Sequence, residues 1–149
     1  MTETSTPVDQ FLAAYTAAVR DADLDAMAAL YADDVEVYDA WETWTYRGRD
    51  AWRQSIAAWF GSLGDETVAV EFSDVAAAQN GDLAHGHAMV TYAAIAPDGS
   101  RLRSLDNRMS VVLRKRDGAW RVVHEHSSSP AAFQTGKVIL SRASSPPAS

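Results

Sequence analysis

The sequence predicts an α+β domain with its helices first and an antiparallel sheet after them. Apolar residues recur at three- and four-residue spacings as far as Leu63, then at every second residue from Thr67 onward. Three turn signals, Asn80-Gly81, Pro97-Asp98-Gly99 and Asp117-Gly118, divide that second half into strands. Helices that precede a meander bury their apolar stripes against one face of its sheet.

The first helix is expected over residues 7–20, because Thr6 can cap it, Pro7 suits its first position, and Val8, Phe11, Leu12, Tyr15 and Val19 form one stripe. Asp23 can cap a shorter second helix with Leu24, Met27, Leu30 and Tyr31 on its apolar side. Val35 to Tyr38 alternates as a short strand that Asp39 ends, and residues 40–46 are irregular. Gly48 and Asp50 open a third helix carrying Trp52, Ile56, Trp59, Phe60 and Leu63, and Gly61 and Gly64 close it. The strands fall near 67–77, 83–96, 101–115 and 119–127. Residues 1–6 read as a flexible start, 7–133 as one domain, and 134–149 as a largely disordered tail whose end is rich in Ser, Ala and Pro.

The 149 residues fit a single domain, and the absence of cysteine rules out disulfides and thiolate metal sites. Net charge is −7, which lacks the basic footprint of a phosphate-backbone or anionic-membrane binder, so neither nucleic acid nor membrane is an expected partner. Residues 1–50 hold 3 basic and 11 acidic groups, whereas 101–149 hold 9 and 3, so the two ends can attract each other within the fold or across an oligomer contact, or simply be solvated. No apolar run approaches a membrane span, and the default location is cytoplasmic.

Several stretches resemble a known family. Asp23-Leu24-Asp25, the run Ala29-Leu30-Tyr31-Ala32-Asp33-Asp34, Asp39 after the first strand and Gly48 before the third helix resemble the SnoaL-like and ketosteroid isomerase-like branches of the nuclear transport factor 2-like superfamily. The ending Arg116-Asp117-Gly118-Ala119-Trp120-Arg121-Val122-Val123-His124-Glu125-His126, continued by Ser127-Ser128-Ser129-Pro130, is similar to the association domain of calcium/calmodulin-dependent protein kinase II. The resemblance implies a cone of three helices on a strongly curved sheet around one pocket, and a homodimer through the sheet. It does not by itself imply an activity.

On the isomerase resemblance, Tyr15 takes the place of the oxyanion-hole tyrosine and Asp39 that of the general base. Both have a physical rationale as well: Tyr15 lies on a buried stripe where its hydroxyl needs a partner, and Asp39 follows an apolar strand and precedes Trp41 and Trp44, where desolvation would raise its pKa. A core tyrosine with a satisfied hydroxyl and a turn-capping aspartate remain the plainer alternatives. Asp106 matches the isomerases' third group only in local appearance, since alignment from Gly118 moves that position to Ser110 or Val111.

The resemblance also implies that His87, Met89 and Thr91 face the cavity, and that Val111, Val123, Glu125 and Ser127 do so on later strands. Trp41 and Trp44, on an irregular segment, can form an apolar lid, and Ile56, Trp59, Phe72 and Met109 are further candidates for the wall, although Trp59 on its helical stripe reads more simply as core. His87 is the expected third catalytic group, as proton donor or partner, and Glu125 a second inward carboxylate or a solvated sheet residue. Thr91, Val111 and Ser127 replace the arginines with which the kinase domain binds anions, which disfavours carboxylate ligands. The pairs His85/His87 and His124/His126 have ligand spacing, but the 101–115 strand separates them and nothing completes a set, so no metal is expected. Two readings follow: a cofactor-free isomerase, cyclase or lyase acting on a small apolar carbonyl compound, or a ligand-binding or oligomerisation module without catalysis.

Overall fold

The structure is a computed structural model and describes residues 5–144. Three α-helices, α1 (Pro7–Arg20), α2 (Leu24–Ala28) and α3 (Arg49–Gly61), accompany six strands, β1 (Tyr31–Tyr38), β2 (Tyr46–Arg47), β3 (Thr67–Asn80), β4 (Leu83–Ile95), β5 (Arg101–Arg116) and β6 (Ala119–Ser128). The strands form one sheet in the order β2-β1-β6-β5-β4-β3. The result is the expected α+β cone, a curved and unclosed sheet with the helices inside its bend.

Local chemistry accounts for most boundaries. Thr6 and Asp9 close a capping box on α1, Asp23 accepts from the Ala26 N–H at the start of α2, and Gly48 takes φ +89° to turn the chain into α3. Asp117 and Gly118 both have positive φ, as a two-residue hairpin turn between β5 and β6 requires. Along α1 the stripe Val8, Phe11, Leu12, Tyr15 and Val19 is buried. Where α1 crosses β4 the contact is so close that a Cβ on Gly86 would sit 2.7 Å from Val8 Cγ1 and 2.9 Å from the Ala76 carbonyl oxygen.

Two features depart from the sequence expectation. Tyr31 does not belong to the second helix: α2 lasts five residues, and Tyr31 begins β1, where it pairs with Val122. The sheet is not wholly antiparallel either, because β1 lies parallel to β6, with Val37 opposite Glu125 and Tyr38 opposite His126. That pairing inserts the first strand between β2 and the meander and brings Asp39, just past its end, to the cavity mouth. The basic strands meet the acidic first half through Arg116–Asp34 at 2.9 Å and Arg103–Glu66 at 2.8 Å. These are exposed pairs worth little individually.

Within the expected tail, residues 134–149, Leu140 and Arg142 bond the sheet. β6 ends with Ser128 opposite Arg108, which leaves the Asp106 N–H on that side without a ladder partner. The Leu140 carbonyl accepts it at 2.8 Å, and the Asp106 carboxylate accepts from the Arg142 N–H at 2.8 Å and from Thr91 Oγ1 at 2.7 Å. Residues 1–4 and 145–149 of the expected flexible ends lie outside the described residues. Asp106→Ala removes the acceptor of the Arg142 N–H, a bond worth about 1.5–3 kcal/mol when the acceptor is charged. Tryptic cleavage after Lys137 in the folded protein is expected to speed up roughly tenfold through local opening. An unchanged cleavage rate contradicts the clasp.

Candidate functional site

A cavity of about 490 Å³ opens between α1, α3 and the inner face of the sheet. This is within the usual range for small-molecule sites, and its walls are mostly apolar and aromatic. Ile56, Trp59 and Trp52 come from α3, Tyr15 from α1, and Tyr92 from β4. Asp39 stands at the mouth beside Trp41, and Glu125 and Ser127 come from β6. Arg103 reaches the rim, where Glu66 already holds it at 2.8 and 3.0 Å.

Two side-chain hydrogen bonds organise its interior. The Tyr15 and Tyr92 hydroxyls lie 2.8 Å apart, one donating to the other, so a second O–H remains for a ligand. Burial, together with the neighbouring Tyr92 and the Glu125 charge, pushes the Tyr15 phenol well above its ordinary range. Tyr31 donates to Glu125 Oε1 at 2.7 Å. Burial raises the Glu125 pKa from 4.5 to about 7, against that hydrogen bond and with help from the Asp39 charge. Burial also raises the half-buried Asp39 carboxyl, although the backbone N–H groups of Ala40 and Trp41 favour its charged form. The Trp52 indole N–H is buried without a well-aligned acceptor.

Of the residues expected in the pocket, Tyr15, Asp39, Trp41, Ile56, Trp59, Glu125 and Ser127 line this one cavity. His87, Met89 and Thr91 do not. On β4 the buried series is Ala84, Gly86, Ala88 and Val90, continued by Tyr92, which puts His85 and His87 in solvent on the opposite face. Met89 and Thr91 share that face, and Thr91 bonds Asp106 there. A one-residue offset exchanges every side chain between faces, and the small and apolar alternation of this strand carries the correct sign. Val123 also leaves the expected set: the register shifts between Val112 opposite His124 and Leu113 opposite Val122, so Val123 is the extra residue of a β-bulge and Val122 takes the buried place.

Met109 and Val111 point inward but belong to the packed core, and Phe72 sits behind Tyr15, edge-on at 5.8 Å. Trp44 is 94% exposed and lines an adjoining outer cleft instead of forming a lid. Asp106 lies on the outer face as the clasp described above. His124 Nδ1 contacts the Glu36 carbonyl at 2.8 Å, and the Tyr38 ring lies against His124 and His126. Among the described residues no three His, Asp or Glu side chains gather as a metal set. The sequence marks neither Tyr31 nor Tyr92 as a site residue: Tyr92 is legible once β4 is read by its small residues, whereas spacing assigns Tyr31 to the second helix.

A model of the SnoaL-like domain matches residues 8–132. The chain belongs to the SnoaL-like domain family. No curated protein matches it. Among solved structures, an NTF2-like protein of unknown function from Pseudomonas putida KT2440 superposes with a TM-score of 0.81 at 26% identity, over 91% of this chain and 93% of that one. A putative calcium/calmodulin-dependent protein kinase II association domain from Xanthomonas campestris gives 0.68 at 19% identity, over 85% and 88%. An NTF2-like protein with a cystatin-like fold from Novosphingobium aromaticivorans gives 0.70 at 19%, over 82% and 79%. These place the SnoaL-like chain in the NTF2-like superfamily. Among its described residues no helix is long and apolar enough to cross a membrane.

What this SnoaL-like cavity can do chemically follows from its inventory. Neutral phenols are hydrogen-bond donors to an oxygen that gains charge, and a partly desolvated carboxylate at the mouth is a base. The rim cation Arg103 is already paired, which suits an uncharged ligand.

Proposed function

We propose that this protein is a cofactor-independent enzyme that removes a proton from the α-carbon of a small, apolar, ring-sized carbonyl compound. Asp39 takes the proton, the C–H electron pair becomes the C=C of an enolate, and Tyr15, backed by Tyr92, donates to the enolate oxygen. The observation that supports this most strongly is that Asp39 and the Tyr15–Tyr92 hydroxyl pair open into the same apolar cavity. Low polarity strengthens both interactions, because an apolar wall leaves no water to compete for the oxyanion.

The test begins with native mass spectrometry of the purified protein to identify what it carries. Hydrogen–deuterium exchange at the α-carbon is then followed by NMR for that compound and for a panel of cyclic ketones. Exchange is expected in the wild type and about 10- to 100-fold less in Tyr15→Phe, the range of one lost oxyanion donor or somewhat below it. A compound that binds stoichiometrically yet exchanges no faster than in buffer overturns the enzymatic reading in favour of a binding module.

A further inference from the structure

The cavity contains a carboxyl that the reaction above leaves idle. Glu125 is 1% exposed, faces the cavity from the middle of the sheet, and makes its one hydrogen bond among the described residues through Oε1, to Tyr31. Its sheet neighbours in register are Val111 on β5 and Val37 on β1, neither of which can share a charge or a proton. Among the described residues no cation pairs with it, and an ionised carboxylate buried without one costs several kcal/mol, so the neutral acid is favoured. Tyr31 holds the group still: it is itself fully buried, with Phe11 and Trp52 edge-on at 6.2 and 6.0 Å. Since Tyr31 occupies Oε1 as a donor, the carboxyl proton belongs on Oε2, which accepts no hydrogen bond from the described residues.

An enolate that merely recovers its proton needs only one carboxyl. A second, held neutral in the same cavity, is needed when a proton must go to a different atom, above all to a leaving hydroxyl that would otherwise depart as hydroxide. We propose that Glu125 is the general acid that protonates a leaving hydroxyl, so that the protein is a dehydratase of apolar β-hydroxy carbonyl compounds.

This rests on the reading of Asp39 as the base. The Asp39 carboxylate takes the α-proton, the C–H pair becomes the α,β double bond, and the C–O pair at the β-carbon leaves with the oxygen. That oxygen takes the Glu125 proton and departs as water. Glu125 is left ionised and Asp39 protonated, and water resets both after the enone leaves. No oxidant, metal or cofactor takes part. The titratable groups that interact with Glu125 are Tyr31 and Asp39 at β1, Tyr15 on α1 and Tyr92 on β4, and the other charged groups lining its cavity are Glu42 and, from β5, Arg103, which Glu66 holds at the rim. Because Glu125 must be protonated, dehydration is expected to fall as pH rises through about 7.

The experiment compares wild type, Asp39→Asn and Glu125→Gln on two matched cyclic ketones, one with a β-hydroxyl and one with a β-aryloxy group, which leaves without protonation. For the hydroxy ketone, Glu125→Gln is expected to slow enone formation about 10²- to 10⁴-fold, the usual worth of a general acid. With the aryloxy ketone the same variant should be slowed far less, because that leaving group needs no proton. Asp39→Asn should lose both exchange and elimination. Equal slowing of Glu125→Gln with both leaving groups would assign Glu125 a structural role and overturn the proposal, as would enone formation at the wild-type rate. Wild-type exchange without enone from either ketone overturns the dehydratase assignment alone. Absence of exchange in the wild type removes the Asp39 reading beneath it.

Discussion

Asp39→Asn is expected to lower α-proton exchange by about 10²- to 10⁴-fold while leaving ligand affinity within a few-fold. The amide has the carboxylate's shape and can still accept the Ala40 and Trp41 N–H groups, so the mouth keeps its form, but it cannot take a proton. A loss confined to turnover with unchanged binding in native mass spectrometry is the signature of a group used in the transition state. The pH dependence follows in sign. The base must be ionised, and burial raises the Asp39 pKa above its usual 3.8, so wild-type exchange should fall as pH drops through that raised value, and the variant should lack this limb. Misfolding does not explain the loss, since removing a carboxyl with a raised folded-state pKa relieves the neutral-pH protein of a cost. Exchange at the wild-type rate in Asp39→Asn would eliminate Asp39 as the base.

Glu125→Gln should make the protein more stable above pH 7. A carboxyl at 4.5 in the unfolded chain and about 7 when folded binds its proton more tightly in the native state. Its contribution is therefore fully present below about pH 4.5 and is lost as pH rises to about 7, after which the difference is constant. The shift corresponds to about 3 kcal/mol. Glutamine keeps an oxygen for the Tyr31 hydroxyl and never ionises, so urea unfolding at pH 5 and pH 8 should show wild type losing stability between the two and the variant losing much less. Equal pH dependence in both proteins would mean that Glu125 is not held neutral. Replacement of this carboxyl by an isosteric amide raises stability at the expense of the proposed chemistry, which is the usual relation between a strained functional group and its fold.

Much of the fold was legible because its causes are local. The Thr6–Asp9 box, the Asp23 cap, the α1 stripe and the Asp117-Gly118 turn act over a few residues, and each element they imply lies within a few positions of where periodicity puts it. Sequence pattern and structure part where a residue's fate depends on distant chain. Leu30 and Tyr31 continue the α2 stripe by spacing, yet Val122 on the last strand pairs with Tyr31 and draws it into the sheet, and its N–H donates to the Leu30 carbonyl just before the strand. On β4 the alternation itself was informative, with small and apolar residues on one side and His85 and His87 on the other. The family resemblance implies the opposite face for His87, Met89 and Thr91.

The site divides in the same way. Sequence alone determined that Tyr15 sits on a buried helical face and that Asp39 terminates an apolar strand, because helix and strand periods bind neighbours three, four or two residues apart. Only the tertiary structure decided that Tyr15 would meet Tyr92 across 77 positions and Tyr31 would meet Glu125 across 94. Those meetings depend on the parallel docking of β1 on β6 and on the bulge at Val123, which together set which carboxyl faces inward. Neither leaves a periodic trace in the chain, since each arises from pairing energies between segments that approach one another only when the core closes.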